Sequence, residues 1–337
     1  MSRYILPWTL TDIEALRRVA PFGIITTPAL NRSVPEEEAV VLKCENLQKT
    51  GSFKYRGAAS AMYYHRAEGG EVWQRMLRFG VASSSTGNFG RALAAVTRDL
   101  GLRCRIYLHD AVPPFKAQAL EAVNPSVEIV RVPYEGWRGM MTSSVGIDDS
   151  LVYLSAETDP YTQLGYATIA HEIVEQVPNV RHVLVPYGGG ALALSLAETF
   201  RQLAPQVQVH AVELETGAPF SASLAQGKPT RVAYTPSFVD SIGADFVIPQ
   251  NFAANRQMLA DSLVVSLASV ANAIQRLVIE DRIVAEGAGA AALAAAHAFA
   301  SQLREKGGNI CCLISGGIIS AALLARILEG SDTTITI

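Results

Sequence analysis

Cysteine is scarce in this chain of 337 residues: four occur, Cys44, Cys104, Cys311 and Cys312, and none form a Cys-x-x-Cys pair. That excludes a disulfide framework and a thioredoxin-like redox motif. Cys311 and Cys312 lie in an apolar run, where buried free thiols are expected. Histidine is equally thin, with six residues and no His-x-x-x-His spacing, so a zinc site has nothing to build on. An excess of one charge is missing too. With 28 basic and 31 acidic residues the net charge is −3, which disfavours a nucleic-acid partner. The N-terminus lacks the basic start and long apolar stretch of a signal peptide. The most apolar segment, Ala285 to Ala300, is too short to span a bilayer and carries Glu286 and His297. A cytoplasmic protein without a membrane partner is expected.

What the chain does have is an apolar content of 49%, and a recurring unit of apolar strand, small-residue turn and amphipathic helix. Ala39–Lys43 precedes a helical stretch from Tyr55 to Glu68. Phe79–Ser83 leads into Ala92–Leu100, and Arg103–Leu108 into Phe115–Val123. Val127–Val132 is a further strand. His182–Pro186 enters a glycine loop and the helix Leu192–Leu203; Val207–Val212 follows. Asn309–Ser315 comes before a helix near Ile319–Glu329. Strands alternating with helices of this length predict an α/β fold with mostly parallel, doubly wound sheets. Runs such as Val183-Leu184-Val185 and Ile310-Cys311-Cys312-Leu313 fit strands covered on both faces. Ligands in such folds bind at the C-terminal strand ends.

Three loops and one lysine lie at such ends. Gly188-Gly189-Gly190-Ala191-Leu192 joins a strand to a helix. Its backbone N–H groups can cradle an anion, or the glycines can serve a tight turn. It matches neither a P-loop nor a dinucleotide fingerprint. Ser83-Ser84-Ser85-Thr86-Gly87-Asn88 offers hydroxyls and an amide to a carboxylate or phosphate; helix capping is the simpler use of the same residues. Ser315-Gly316-Gly317 places a neutral hydroxyl at a strand end. Lys54 follows Thr50 and Ser52, either of which can cap the next helix. A cation in that first turn opposes the helix dipole, a setting that suits a lysine acting as a neutral nucleophile. A surface lysine on an amphipathic helix is the alternative.

Taken together and in this order, these pieces resemble the fold-type II pyridoxal-phosphate enzymes, and within them the serine/threonine dehydratase and serine racemase family. Glu45-Asn46-Leu47-Gln48, Gly51-Ser52-Phe53-Lys54 and Arg56-Gly57-Ala58 match the lysine motif, and Ser85-Thr86-Gly87-Asn88 the serine loop. Gly188–Leu192 matches the phosphate loop and Ser315–Gly317 the Ser-Gly-Gly element. Likeness continues in Gln163–Ile173 and in Glu286-Gly-Ala-Gly-Ala-Ala, so it covers roughly Thr27 to Leu328. The resemblance implies a tryptophan synthase β-like fold of two doubly wound parallel-sheet domains. Residues 1–78 and 155–337 would form the large cofactor-binding domain and 79–154 a small mobile one. It implies pyridoxal 5'-phosphate as cofactor, carried covalently by Lys54 with Phe53 beside the ring. Gly188, Gly189, Gly190, Ala191 and Leu192 would hold the phosphate, Asn88 the ring oxygen, and Ser315 would face the pyridine nitrogen. Ser85, Thr86 and Gly87 would bind the substrate carboxylate, with Thr86 also a catalytic candidate.

The implied activity is β-elimination from a β-hydroxy α-amino acid such as threonine or serine, giving a 2-oxo acid and ammonia. Racemisation and β-replacement on the same fold are the alternatives, and a small-molecule amino acid and a second copy of the chain are the implied partners. Departures from the family pattern are Phe89 for a histidine, Arg91 for a glutamine, Ala191 for a glycine and Ile318 for an asparagine. Phe89 is expected to add apolar contact near the cofactor. Glu213 stands where some members bind a cation, but Gly217 and Pro219 occupy the other ligand positions, so no metal is expected. With only eight residues after Glu329, no regulatory domain is expected and a catabolic or specialised role is the expectation.

Overall fold

The computed structural model describes residues 8–32, 40–85, 87–112, 114–143 and 145–330. In chain order the strands are β1 (Ala29–Asn31), β2 (Val40–Lys43), β3 (Val81–Ser84), β4 (Cys104–His109), β5 (Glu128–Val132), β6 (Val152–Tyr153), β7 (Val180–Pro186), β8 (Gln208–Leu214), β9 (Asp261–Val265) and β10 (Asn309–Leu313). The helices are α1 (Leu10–Val19), α2 (Lys54–Glu68), α3 (Glu71–Phe79), α4 (Asn88–Leu100), α5 (Pro114–Val123), α6 (Tyr134–Ser143), α7 (Pro160–Gln176), α8 (Ala191–Leu203), α9 (Pro219–Gln226), α10 (Pro249–Met258), α11 (Leu267–Arg276), α12 (Gly287–Ala298), α13 (Ala300–Glu305) and α14 (Ala321–Leu328). The strand–helix units expected from the sequence are present, with ends shifted by a few residues. Among the described residues no helix is long and apolar enough to cross a membrane.

Two compact units emerge, one from 26–53 and 169–330, the other from 8–25 and 54–168. The first holds a six-stranded sheet in the order β1-β2-β10-β7-β8-β9. All its pairs are parallel except β1 with β2. Period-2 alternation sends Leu184, Val212, Leu214, Ile310 and Cys312 into one core with the alanines of α12. Small side chains let that helix lie close on the strands; Cys312 Sγ reaches the Ala292 carbonyl at 3.5 Å. Val183, Val185 and Cys311 alternate to the other face and are also fully buried. The four thiols are free and buried, as expected of Cys311 and Cys312. Burial pushes Cys44, Cys104 and Cys311 up to about 12.

The second unit carries an all-parallel sheet in the order β5-β4-β3-β6. One core joins Tyr55, Ala58 and Met62 of α2 to Phe89, Ala92, Leu93 and Val96 of α4 and to Ile106 and Leu108 of β4. A smaller cluster of Ala82, Tyr107, Met140 and Leu151 includes the α6 side of the same strands. Both sheets are therefore covered on two faces, which explains their near-continuous apolar strands.

One polar chain is buried in the first sheet. His182 Nδ1 lies 3.0 Å from His210 Nε2, and His210 Nδ1 lies 2.5 Å from Asp261 Oδ1. The Asp261 carboxylate can only accept, so His210 donates to it from Nδ1. Burial, reinforced by His210, pulls His182 from 6.5 down to about 4. The unfolded chain therefore binds a proton below 6.5 that the folded chain refuses. Stability present above 6.5 should fall as the pH drops towards about 4, by about 1.4 kcal/mol per pH unit for one proton. Urea unfolding across this window should show a shallower fall for His182→Gln than for the wild type.

Candidate active site

In the first unit, the Gly51–Phe53 segment pairs antiparallel with Ser315–Gly317. Phe53 N–H donates to the Ser315 carbonyl at 3.0 Å and Gly317 N–H to the Gly51 carbonyl at 2.9 Å, and Ser52 bridges Gly316. Thr50 and Gly51 make the reversal that allows this, with φ of 60° and 81°. Phe53 and Ser315, both sequence candidates, are thus brought together, and both side chains are buried. The capping expected of Thr50 or Ser52 does not occur. Both hydroxyls are buried without a hydrogen-bond partner among the described residues: Thr50 sits in the left-handed turn, and the extended Ser52 is tied to the Ser315 loop instead. The start of α12 presses on that loop: a Cβ on Gly289 would collide with the Gly316 carbonyl. This contact accounts for Gly289, and Val239, which a Cβ on Gly287 would strike, accounts for the other glycine of the Glu286-Gly-Ala-Gly run.

The glycine loop leaves β7 and enters α8 at Gly190, whose φ is 87°. Its carbonyls are held from behind. Asn251 Nδ2 donates to the Gly189 carbonyl at 2.9 Å, and Asn255 Nδ2 to the Gly190 carbonyl and the Tyr187 hydroxyl, each at 3.2 Å. Tyr187 stacks on Phe220 with centroids 4.4 Å apart. Gly190 is the N-cap of α8, and the N-terminus of a helix offers N–H donors and a dipole that favours an anion. A Cβ on Gly190 would collide with the Asn255 amide and lie 2.7 Å from the Tyr187 hydroxyl. The asparagines of α10 were missed from the sequence, since nothing in Pro249–Met258 marks them as partners of a distant loop.

Glu213 Oε1 accepts from Phe220 N–H at 2.8 Å, and Oε2 accepts from Ser221 N–H and the Ser262 hydroxyl, each at 2.7 Å. Burial pushes this carboxyl up, opposed by those bonds. Its oxygens are engaged at the start of α9. Among the described residues no cluster of three or more potential ligands could hold a metal ion.

In the second unit, Lys54 opens α2, and its Nζ donates to Glu157 Oε1 at 2.7 Å. Nζ also sits 5.2 Å from the centre of the Tyr166 ring. This arrangement depends on two glycines that bring α2 and α7 into contact. A Cβ on Gly57 would lie 2.5 Å from Tyr166 Cε1, and one on Gly165 would collide with the Arg56 carbonyl. Burial pushes Tyr166 well above its usual range, and its hydroxyl donates to the Ala156 carbonyl at 3.1 Å. Neither Glu157 nor Tyr166 was singled out from the sequence.

The serine loop follows β3. Ser85 Oγ accepts from Gly90 N–H at 3.0 Å and from Gly87 N–H at 3.4 Å, so this hydroxyl closes the turn into α4. Gly87 is the N-cap and Asn88 the first helical residue. Thr86 lies outside the described residues. Phe89 is 2% exposed and belongs to the α2–α4 core, so its ring supports the loop from inside the unit. This corrects the expectation that Phe89 adds apolar contact near a ligand.

The chain matches the family model described as "Pyridoxal-phosphate dependent enzyme" over residues 18–316. It is 30% identical over 328 residues to the L-threonine ammonia-lyase of Thermotoga maritima, covering 95% of this chain and 78% of that protein. It is 28% identical over 329 residues to the serine racemase of Schizosaccharomyces pombe, covering 96% and 98%. Among solved structures, the serine racemase of Dictyostelium discoideum superposes with a TM-score of 0.79 at 25% identity, covering 93% of this chain and 99% of that one.

The left-handed backbone at residue 190 costs a non-glycine residue about 1–2 kcal/mol, and the collision with Asn255 adds to that. Gly190→Ala should therefore weaken binding of a phosphate ester to the loop by about tenfold or more. Titration of the full chain with pyridoxal phosphate measures it.

Proposed function

The chain belongs to the pyridoxal-phosphate-dependent enzyme family, and we propose that it is an ammonia-lyase that performs β-elimination on β-hydroxy α-amino acids such as threonine or serine. The observation that carries this reading is the lysine at the start of α2, with its flanking motif, in a chain 30% identical to an L-threonine ammonia-lyase. The cofactor is pyridoxal phosphate, and the residues present fit it. The glycine loop is a cradle from which any larger residue at position 190 is excluded, and it opens at a helix N-terminus suited to a phosphate. The Ser315 hydroxyl is a neutral, buried group at the end of β10.

Bound pyridoxal phosphate supplies an electron sink for the pair released when the substrate loses its α-proton. Lys54 would bear the cofactor on Nζ and, once that nitrogen is free, would serve as the base for the α-proton. Phe53 would lie beside the ring. The N–H groups of Gly188, Gly189, Gly190, Ala191 and Leu192 would hold the phosphate, and Asn88 would donate to the ring oxygen. Ser315 would offer the ring nitrogen a neutral hydroxyl, which does not hold a proton there as a carboxylate would, a weaker polarisation that suits rapid loss of the β-hydroxyl. Ser85, Thr86 and Gly87 would receive the substrate carboxylate. The products are a 2-oxo acid and ammonia.

In this reading the protein works in the cytoplasm as a homodimer on a small amino acid, with neither nucleic acid nor membrane as partner. The near-balanced charge of −3 supports a small-molecule enzyme whose anion binding is local. A dimer requires a light-scattering mass of twice 36.1 kDa, and a monomer mass would overturn that part.

The activity is tested with threonine, serine, phenylserine and hydroxyaspartate in both stereochemical series, assayed for 2-oxo acid release. Turnover of at least one is expected, with its loss in Lys54→Ala. A D-amino acid or a thioether as the main product would replace this reading with racemisation or β-replacement.

A further inference from the structure

Glu157 has no place in the roles assigned so far, yet its carboxylate is the group in contact with Lys54 Nζ, at 2.7 Å. The two side chains are only 16% and 9% exposed. The carboxylate is built into position rather than hanging from a flexible loop. Glu157 N–H and Thr158 N–H both donate to Ser155 Oγ, at 3.2 and 3.1 Å. From α7, the buried Gln163 amide donates to the Glu157 carbonyl at 2.9 Å, and the Tyr166 hydroxyl fixes the neighbouring Ala156 carbonyl. The backbone under Glu157 is thus pinned by the helix whose Tyr166 ring also lies against Lys54.

We infer that Glu157 is the proton-exchange partner of Lys54: it takes a proton from Nζ whenever that nitrogen must act as a nucleophile, and returns one when the exchange is complete. The inference rests on Lys54 being the residue that bears the cofactor. An ammonium has no lone pair for attack on a carbonyl carbon, so Nζ must first lose a proton, and the carboxylate in contact is the acceptor. The balance closes. Nζ begins with three protons and forms a bond to the aldehyde carbon as the carbon–oxygen double bond breaks. The oxygen departs as water with two of those protons, one of them carried by Glu157, and the nitrogen keeps the third. Glu157 ends as the carboxylate it was at the start.

The other ionisable groups facing this pair do not compete. Tyr166 and Tyr153 are both pushed upward, chiefly by burial, and keep their protons. Asp159 is occupied at the start of α7, accepting from Thr162 N–H at 2.7 Å with His65 at 3.6 Å.

Cofactor loading gives the test without relying on turnover. Full-length, cofactor-free protein is mixed with pyridoxal phosphate over a range of pH and quenched with borohydride. The mass of the Lys54 peptide is then followed in time. Wild-type protein that traps no cofactor at Lys54 would remove the premise about Lys54 itself. With trapping at Lys54 established, Glu157→Gln should load about tenfold or more slowly and lose the acidic limb of the wild-type pH profile, general acid–base assistance being typically worth on the order of 10² or more. Added acetate should restore part of the rate in Glu157→Ala. Glu157→Asp keeps the carboxylate and should load slowly with the wild-type pH profile. It serves as the deciding variant should the others not fold. Wild-type loading by Glu157→Gln at every pH, or a Glu157→Asp profile without its acidic limb, would overturn the inference, since a purely structural ion pair alters stability and not this profile.

Discussion

The short antiparallel pairing of Gly51–Phe53 with Ser315–Gly317 is the constraint on which two of the first unit's candidate residues, Phe53 and Ser315, depend. It ties a segment from the start of the chain to the last strand of the sheet, and it does so with backbone bonds that leave the side chains for other uses. Phe53 and Ser315 become neighbours by this route alone. The left-handed turn at Thr50 and Gly51 makes the pairing possible, and the tight seat of α12 against Gly316 keeps the loop from shifting. Lys54 follows Phe53 in sequence, so the same pairing fixes the residue immediately before it.

Glycine does two different jobs around these residues. At Gly51 and Gly190 it permits a backbone conformation, and at Gly57, Gly165 and Gly289 it permits an approach. The second job governs the lysine. Without side chains at 57 and 165, α2 and α7 touch, and a ring and a carboxylate from the segment at 155–166 meet Nζ. Asparagines play the matching part in the other unit. Asn251 and Asn255 bind the Gly189 and Gly190 carbonyls of the glycine loop.

Much of this was legible in the sequence, because strands and helices alternate with clear periods and the candidate loops fall at their junctions. The lysine segment, the glycine loop and the Ser-Gly-Gly element could be recognised as ordered pieces. The orientation of individual side chains was less accessible. Phe89 was read as facing a ligand, although Phe89, Ala92, Leu93 and Val96 fall at helical spacing and mark a core stripe; the signal was present and outweighed by the motif. The hydroxyls of Thr50 and Ser52 resemble caps in sequence because the turn at Thr50 and the pairing at Ser52 are set by residues far along the chain. Glu157 carried no signal at all. A single glutamate in Ser155-Ala-Glu-Thr-Asp becomes notable only when two helices bring it to a lysine.

The adjacent thiols of β10 have a consequence of another kind. Cys311 and Cys312 point to opposite faces of a sheet that is covered on both sides, and Cys44 and Cys104 are equally enclosed. No thiol in the folded chain is presented to an oxidant or an alkylating reagent. The four sulfurs together act as a silent clock on the folded state. A thiol reagent reaches them only during opening events, so modification at each cysteine counts how often its own face of the structure comes apart.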